Sequence, residues 1–176
     1  LTKIMTMMVA LEAVDSGRVG LSDRVLITRD DVTLPYRSSL MYLQEGMSVP
    51  FDDLLRGMAV ISGNDAAKTV ARVLAGSQEA FVGLMNAEAE RLGLTETRFV
   101  EPSGLSELNT TTAREMAVLA RAYILRHPGA LGDYHSRTTM HFPREDVMPA
   151  GAEPPAIKIL LQTTKVHRRP GVVVAE

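Results

Sequence analysis

The chain has 176 residues, 45% of them apolar, which suits one domain with an ordinary packed core. A formal net charge of -2 and an isoelectric point of about 6.1 argue against nucleic acid as a main partner, because binding phosphates needs a basic face. Cysteine is absent, which excludes a disulfide scaffold, a thiolate nucleophile and a thiolate metal site.

Residues 2–15 read as a buried helix: Met5, Met8, Val9, Leu11 and Ala13 leave only Lys3, Glu12 and Asp15 charged, and Ser16-Gly17 ends it. Val25 to Thr28 reads as a short strand, residues 29–37 as loop, Ser38 to Met41 as one helical turn, and Gly46 to Pro50 as a turn. Residues 51–60 form the next helix, with Leu54, Leu55, Met58 and Ala59 on one face. Ser62-Gly63-Asn64 interrupts it, and helix resumes from Asp65 to Leu74. Residues 78–92 place Phe81, Leu84, Met85 and Leu92 on one stripe, closed by Gly93. Residues 95–110 are irregular around Pro102-Ser103-Gly104. Thr112-x-x-Glu115 reads as a capping box, and the helix it opens is stopped by His127-Pro128-Gly129. Thr138 to Phe142 alternates like a strand, residues 143–155 hold four prolines and read as loop, Ile157 to Leu161 is a short apolar segment, and Val172 to Val174 is a further strand candidate. Helix therefore dominates, with short strands at the margins.

No apolar run approaches the ~20 residues of a membrane span, and no signal-peptide pattern is visible. The first helical pattern starts at once with no capping residue before it, which predicts a processed or partial piece of a longer chain.

Two small motifs carry chemistry. Ser62-Gly63-Asn64 is a good helix break, in which Ser or Asn caps the second helix and Gly supplies an αL turn. It also places a hydroxyl that can relay a proton, and an amide that can hold a substrate carbonyl, on an inter-helix loop. Lys3 at the start of so apolar a helix reads as a snorkelling side chain, or as a base for a serine one helical turn earlier. The second use needs a neutral amine, which burial and a nearby cation favour. The histidines at 127, 135, 141 and 167 are scattered without zinc-ligand spacing, though His135 and His141 could serve a pocket. Phosphate-loop, dinucleotide and Gly-x-Ser-x-Gly motifs are missing, and neither a metal nor a cofactor is implied. Asp30-Asp31 and Asp52-Asp53 read as solvated turn carboxylates, and the ten methionines as core filling.

In order, these segments resemble the serine-type D-alanyl-D-alanine carboxypeptidases, the low-molecular-mass penicillin-binding proteins of bacterial walls. Their signature runs Ser-x-x-Lys, Ser-x-Asn, Lys-Thr-Gly. Leu1-Thr2-Lys3 looks like the first element without its serine, and Ser62-Gly63-Asn64-Asp65 like the second. The runs Gly46 to Pro50, Leu54 to Met58, Phe81 to Asn86, Leu92 to Phe99, Ser103-Gly104-Leu105 and Thr112 to Ala117 extend the likeness over roughly residues 1–142.

The resemblance implies an α+β fold, here mostly the helical lobe of the penicillin-binding-protein and β-lactamase-like transpeptidase fold, with its antiparallel sheet largely missing. Residues 1–176 then form one partial domain, in which 143–176 is a divergent segment without Lys-Thr-Gly. The resemblance also implies an exported hydrolase that removes the terminal D-alanine of peptidoglycan pentapeptides through an acyl-serine, and that β-lactams trap. Lys3 would activate the serine, Ser62 would relay the proton, and Asn64 would hold the substrate amide. Membrane attachment would come only through segments outside this chain. The serine itself would stand immediately before Leu1, so the 176 residues alone are expected to be inactive. The alternatives are a non-catalytic module that binds wall peptides or a partner, and a β-lactamase or endopeptidase of the same fold.

Overall fold

The computed structural model describes residues 2–36, 38–152 and 158–161, the last four as backbone. Its centre is helix α1 (Thr2–Asp15), in which Met5, Met8, Ala10 and Ala13 are fully buried. A helix apolar all round has no face to offer water, so its neighbours must enclose it. α3 (Phe51–Ile61), α4 (Asn64–Ala75), α5 (Gln78–Arg91) and α6 (Ala113–Arg126) do so. The face of α4 turned inward is built of Ala66, Ala67, Val70 and Ala71, all fully buried. Small side chains of that kind let two helix axes approach closely.

Two small antiparallel pairs flank the helices. β1 (Arg24–Leu26) pairs with β2 (Ser48–Pro50), Val25 opposite Val49, and β2 runs straight into α3. β3 (Thr139–Phe142) pairs with β4 (Lys158–Leu161), and both pack against α3. Phe51, Phe81 and Phe142 are the largest fully buried side chains, and methionines such as Met7, Met41, Met47 and Met85 fill the space between them.

The structure departs from the sequence reading in several places. The segment read as loop after Thr28 holds a one-turn helix, α2 (Arg29–Val32). Asp31 makes that turn. Its side chain is fully buried and accepts from the Thr28 backbone N–H at 2.8 Å, the Thr28 hydroxyl at 2.8 Å, and Arg72 Nε and Nη2 at 2.8 Å each. Burial alone would push this carboxyl up, but the bonds from Arg72 and Thr28 outweigh it and hold the group below its ordinary range. Asp53 is buried as well, against Arg144 Nη2 at 2.7 Å. These two carboxylates are therefore not solvated, because each has an arginine that a local reading cannot find.

Residues 38–41 carry no helical turn, and Ser48 to Pro50 is a strand because β1 offers it a partner. Only half of the capping box at Thr112 forms. The Thr112 hydroxyl accepts from Glu115 N at 3.2 Å, but the Glu115 carboxylate turns away to Glu96 N and the Thr97 hydroxyl. Val172 to Val174 lies outside the described residues, as does Lys165.

Candidate active site

The loop of residues 95–110 lies over the first turn of α1. Thr6 donates to the Pro102 carbonyl at 2.7 Å, and Asn109 Nδ2 reaches Thr2 Oγ1 at 3.3 Å. Gly104, at φ 87°, sits so close that a Cβ there would meet Thr2 Oγ1 at 3.2 Å. On the other side, the α3–α4 turn brings Ser62 and Asn64 toward the same helix end. Between the loop and the turn opens a cleft of about 710 Å³, lined by Lys3, Ser39, Ser62, Asn64, Ser103 and His135 among others.

Lys3 does not snorkel to solvent. Its Nζ donates to Asn64 Oδ1 at 2.7 Å and to the Ser103 carbonyl at 2.6 Å. Burial pulls the amine down to about 8, and the negative charges of Glu101 and Asp65 only partly offset that pull. No neighbouring cation is needed. Roughly a tenth of such an amine is neutral at pH 7, against a few ten-thousandths for a free lysine. The amine can therefore take a proton from a donor one helical turn earlier on the same face.

Ser62 closes α3 in the left-handed region, at φ 56° and ψ 37°. A serine in that conformation is sparsely populated and costs about 1 kcal/mol or more, so the surroundings must impose it. Two bonds do: the Ser62 and Gly63 backbone N–H groups both donate to the Gly57 carbonyl. Ser62 lines the cleft, and among the described residues its hydroxyl has no hydrogen-bond partner. The sequence reading assigned the left-handed residue to Gly63 and the cap to Ser or Asn. In the structure Gly63 is itself the N-cap of α4, at φ -56°, and no side chain caps that helix.

Gly63 is needed for space. A Cβ there would lie 3.0 Å from Asp65 Oδ1, 3.3 Å from the Gly57 carbonyl oxygen and 3.3 Å from Met41 N, two of which are backbone. Gly63→Ala is expected to lower stability by about 1–3 kcal/mol. Urea unfolding of the wild type and the variant checks this, and an unchanged midpoint with an unchanged slope would refute it.

Two residues that sequence reasoning left aside support the site. Asp65, just after the Ser-Gly-Asn run, accepts from Met41 N at 3.0 Å, Leu43 N at 3.1 Å and Ala66 N at 2.9 Å. It thereby ties the loop carrying Ser39 to the head of α4, and Asn64 N donates to the Ser39 carbonyl at 2.8 Å. Burial raises the Asp65 carboxyl, against the lowering effect of these N–H donors. The second is Glu101, which gathers the turn at Ser103. A carboxylate directly before Pro-Ser-Gly was the available signal, because turns of that kind leave N–H groups in need of an acceptor. Of the two histidines considered for a pocket, His135 lines the cleft, with Tyr123 Oη 2.9 Å from its Nε2.

A helical lobe with small antiparallel pairs at its edge, and a Lys–Ser–Asn cleft at one helix end, defines the helical part of the penicillin-binding-protein transpeptidase fold. The solved structure of penicillin binding protein 6B from Escherichia coli superposes with a TM-score of 0.78 at 32% identity, covering 97% of this chain and 51% of that one. Penicillin-Binding Protein D2 from Listeria monocytogenes, solved in a cefotaxime-bound form, superposes with a TM-score of 0.73 at 26% identity, covering 93% and 61%. The sequence model of the family described as D-alanyl-D-alanine carboxypeptidase matches residues 1–147, and the chain belongs to that family. Among curated relatives, the D-alanyl-D-alanine carboxypeptidase DacF of Bacillus subtilis (strain 168) is 35% identical over 145 residues, covering 79% of this chain and 37% of DacF. The chain spans roughly a third of the length of the curated relatives it matches, 37%, 32% and 35% for three of them.

Proposed function

We propose that this chain is the helical catalytic lobe of a peptidoglycan D-alanyl-D-alanine carboxypeptidase, and that the protein carries a serine immediately before Leu1. The observation that carries the reading is the Lys3 amine, desolvated to about 8 and held between Asn64 Oδ1 and the Ser103 carbonyl. A serine at that position shares the face of α1 with Lys3. Its Oγ attacks the carbonyl between the two D-alanines while Lys3 takes its proton. The C–N bond then breaks, Ser62 hands the proton to the departing D-alanine amine, and Asn64 holds the remaining acyl amide. Water, with Lys3 again as base, cleaves the ester and regenerates the serine. β-Lactams enter the same cleft and acylate the same serine, in keeping with the cefotaxime-bound form of the Listeria relative.

The substrate lies in the wall, so the protein acts outside the cytoplasmic membrane. No helix among the described residues is long and apolar enough to cross a membrane. Residues 143–176 lack Lys-Thr-Gly, and Lys3 is the only lysine or arginine lining the cleft among the described residues. A cation for the substrate's terminal carboxylate is therefore expected outside the described lining of the cleft.

Intact-mass measurement after incubation with a penicillin tests this, together with D-alanine release from a D-alanyl-D-alanine peptide. The full-length protein is expected to gain one penicillin and to release D-alanine, and the 176-residue polypeptide to do neither. Reversible binding without an adduct on the full-length protein would make it a non-catalytic module. Fast turnover of the penicillin with no release of D-alanine would make it a β-lactamase.

A further inference from the structure

The Glu101 carboxylate has an unusual load. Its Oε2 accepts from Ser103 N at 2.7 Å and from Ser103 Oγ at 2.5 Å. Its Oε1 accepts from Gly104 N at 2.6 Å, Ser106 N at 3.4 Å and Asn109 Nδ2 at 2.5 Å. Five donors converge on one side chain, and only an acceptor-only group can meet them all. Burial would push this carboxyl up, but the Ser103, Gly104 and Ser106 bonds outweigh it and keep the group ionised. The turn it gathers is the one whose Ser103 carbonyl receives the Lys3 amine at 2.6 Å, and whose Gly104 rests on Thr2.

We propose that Glu101 is a positioning residue for Lys3: it shapes the 101–106 turn so that the Ser103 carbonyl meets the amine, and it places a fixed negative charge beside that amine. The inference rests on the carboxypeptidase reading for its effect on rate, but not for its effect on Lys3 itself. The titratable groups around the amine are Glu101 on the loop, Asp65 on α4 and His135 across the cleft. Glu101 and Asp65 favour the ammonium form, against burial. Losing the Glu101 charge therefore makes Lys3 release its proton at lower pH.

The test compares Glu101→Gln and Glu101→Asp with the wild type in the full-length protein, using acylation by a fluorescent penicillin across pH. Glutamine keeps the length but brings an N–H₂ against the turn's donors and has no charge. Its acid limb is expected at lower pH, and its plateau roughly 10- to 100-fold below wild type, as for a misplaced catalytic group. Aspartate keeps the charge on a shorter arm, so its limb stays in place while its plateau falls. A Glu101→Gln profile with the wild-type limb, or with the wild-type plateau, overturns the proposal. Should Glu101→Gln fail to fold, the Glu101→Asp plateau decides: a fall supports the proposal, and a wild-type plateau overturns it. A second readout needs no acylation. The Lys3 side chain, followed by ¹³C NMR, is expected to titrate at lower pH in Glu101→Gln than in the wild type, and an equal midpoint overturns the coupling. If the wild type takes no penicillin, the carboxypeptidase reading fails, and this titration still decides the role of Glu101.

Discussion

Lys3→Arg in the full-length protein is expected to slow penicillin acylation by roughly 10²–10⁴-fold, the usual contribution of a general base. Arginine keeps the positive charge and can still donate toward Asn64 Oδ1 and the Ser103 carbonyl, but it does not lose its proton in a protein. The substitution therefore removes base chemistry while leaving the cation in the cleft. The wild-type rate is expected to rise with pH through about 8, where burial sets the Lys3 amine, and then to level. The variant's residual rate is expected to lack that limb. The direction follows from the base being the unprotonated form: below the titration most of the amine is ammonium and cannot accept a proton. Stopped-flow acylation against pH measures both effects. A Lys3→Arg protein that acylates at the wild-type rate would remove Lys3 from the mechanism.

Asp65→Ala is expected to destabilise the fold by about 2–4 kcal/mol and to slow acylation as well. The carboxylate satisfies the backbone N–H groups of Met41 and Leu43, both on buried residues, and that of Ala66. Each buried N–H left without an acceptor costs about 1–3 kcal/mol. Relief of a desolvated charge returns part of that. The pH dependence separates the two contributions. The folded state raises the Asp65 carboxyl above 3.8, so between that value and the folded one it binds this proton more tightly than the unfolded chain does. This titration therefore adds stability to the wild type as pH falls, the reverse of a paired acid such as Asp31. The stability gap between wild type and Asp65→Ala should widen as pH is lowered into that window, which chemical denaturation at a series of pH values would reveal. A gap that narrows on acidification would mean that the ionised carboxylate is net stabilising where it stands.

The helices were legible because their signals are local. Nine of the fourteen residues of α1 are buried, and such an all-round apolar run has only one low-energy use in water, at the centre of other helices. The Phe81 and Met85 positions of the α5 stripe, the stop of α6 at His127-Pro128-Gly129 and the alternation of Thr139 to Phe142 are equally local. Errors fell where a residue's state depends on a distant partner. Asp31 looks like a loop carboxylate until Arg72, forty-one positions later, closes on it. Ser48 to Pro50 is a turn until β1 supplies a ladder. Glu115 is half of a capping box until Thr97 competes for its oxygens, with the hydroxyl at 2.5 Å.

The candidate site divides along the same line. Residue types and order alone, through likeness to a family whose members share them, named Lys3, Ser62 and Asn64 and the chemistry such a set performs. Hydrophobic periodicity alone placed Lys3 on an apolar helix and Ser62 to Asn64 between two others. Only the tertiary structure decided that the three line one cleft, with Lys3 bonded to Asn64, that Ser62 and not Gly63 takes the left-handed turn, and that Glu101 and Asp65 hold the two loops around the amine. Periodicity reports which face of a segment avoids water, and that is written within a few residues. The proton affinity of Lys3 depends on how much water its neighbours exclude and on where their charges stand, and those neighbours come from positions 64, 65, 101 and 103, which only the folded chain assembles.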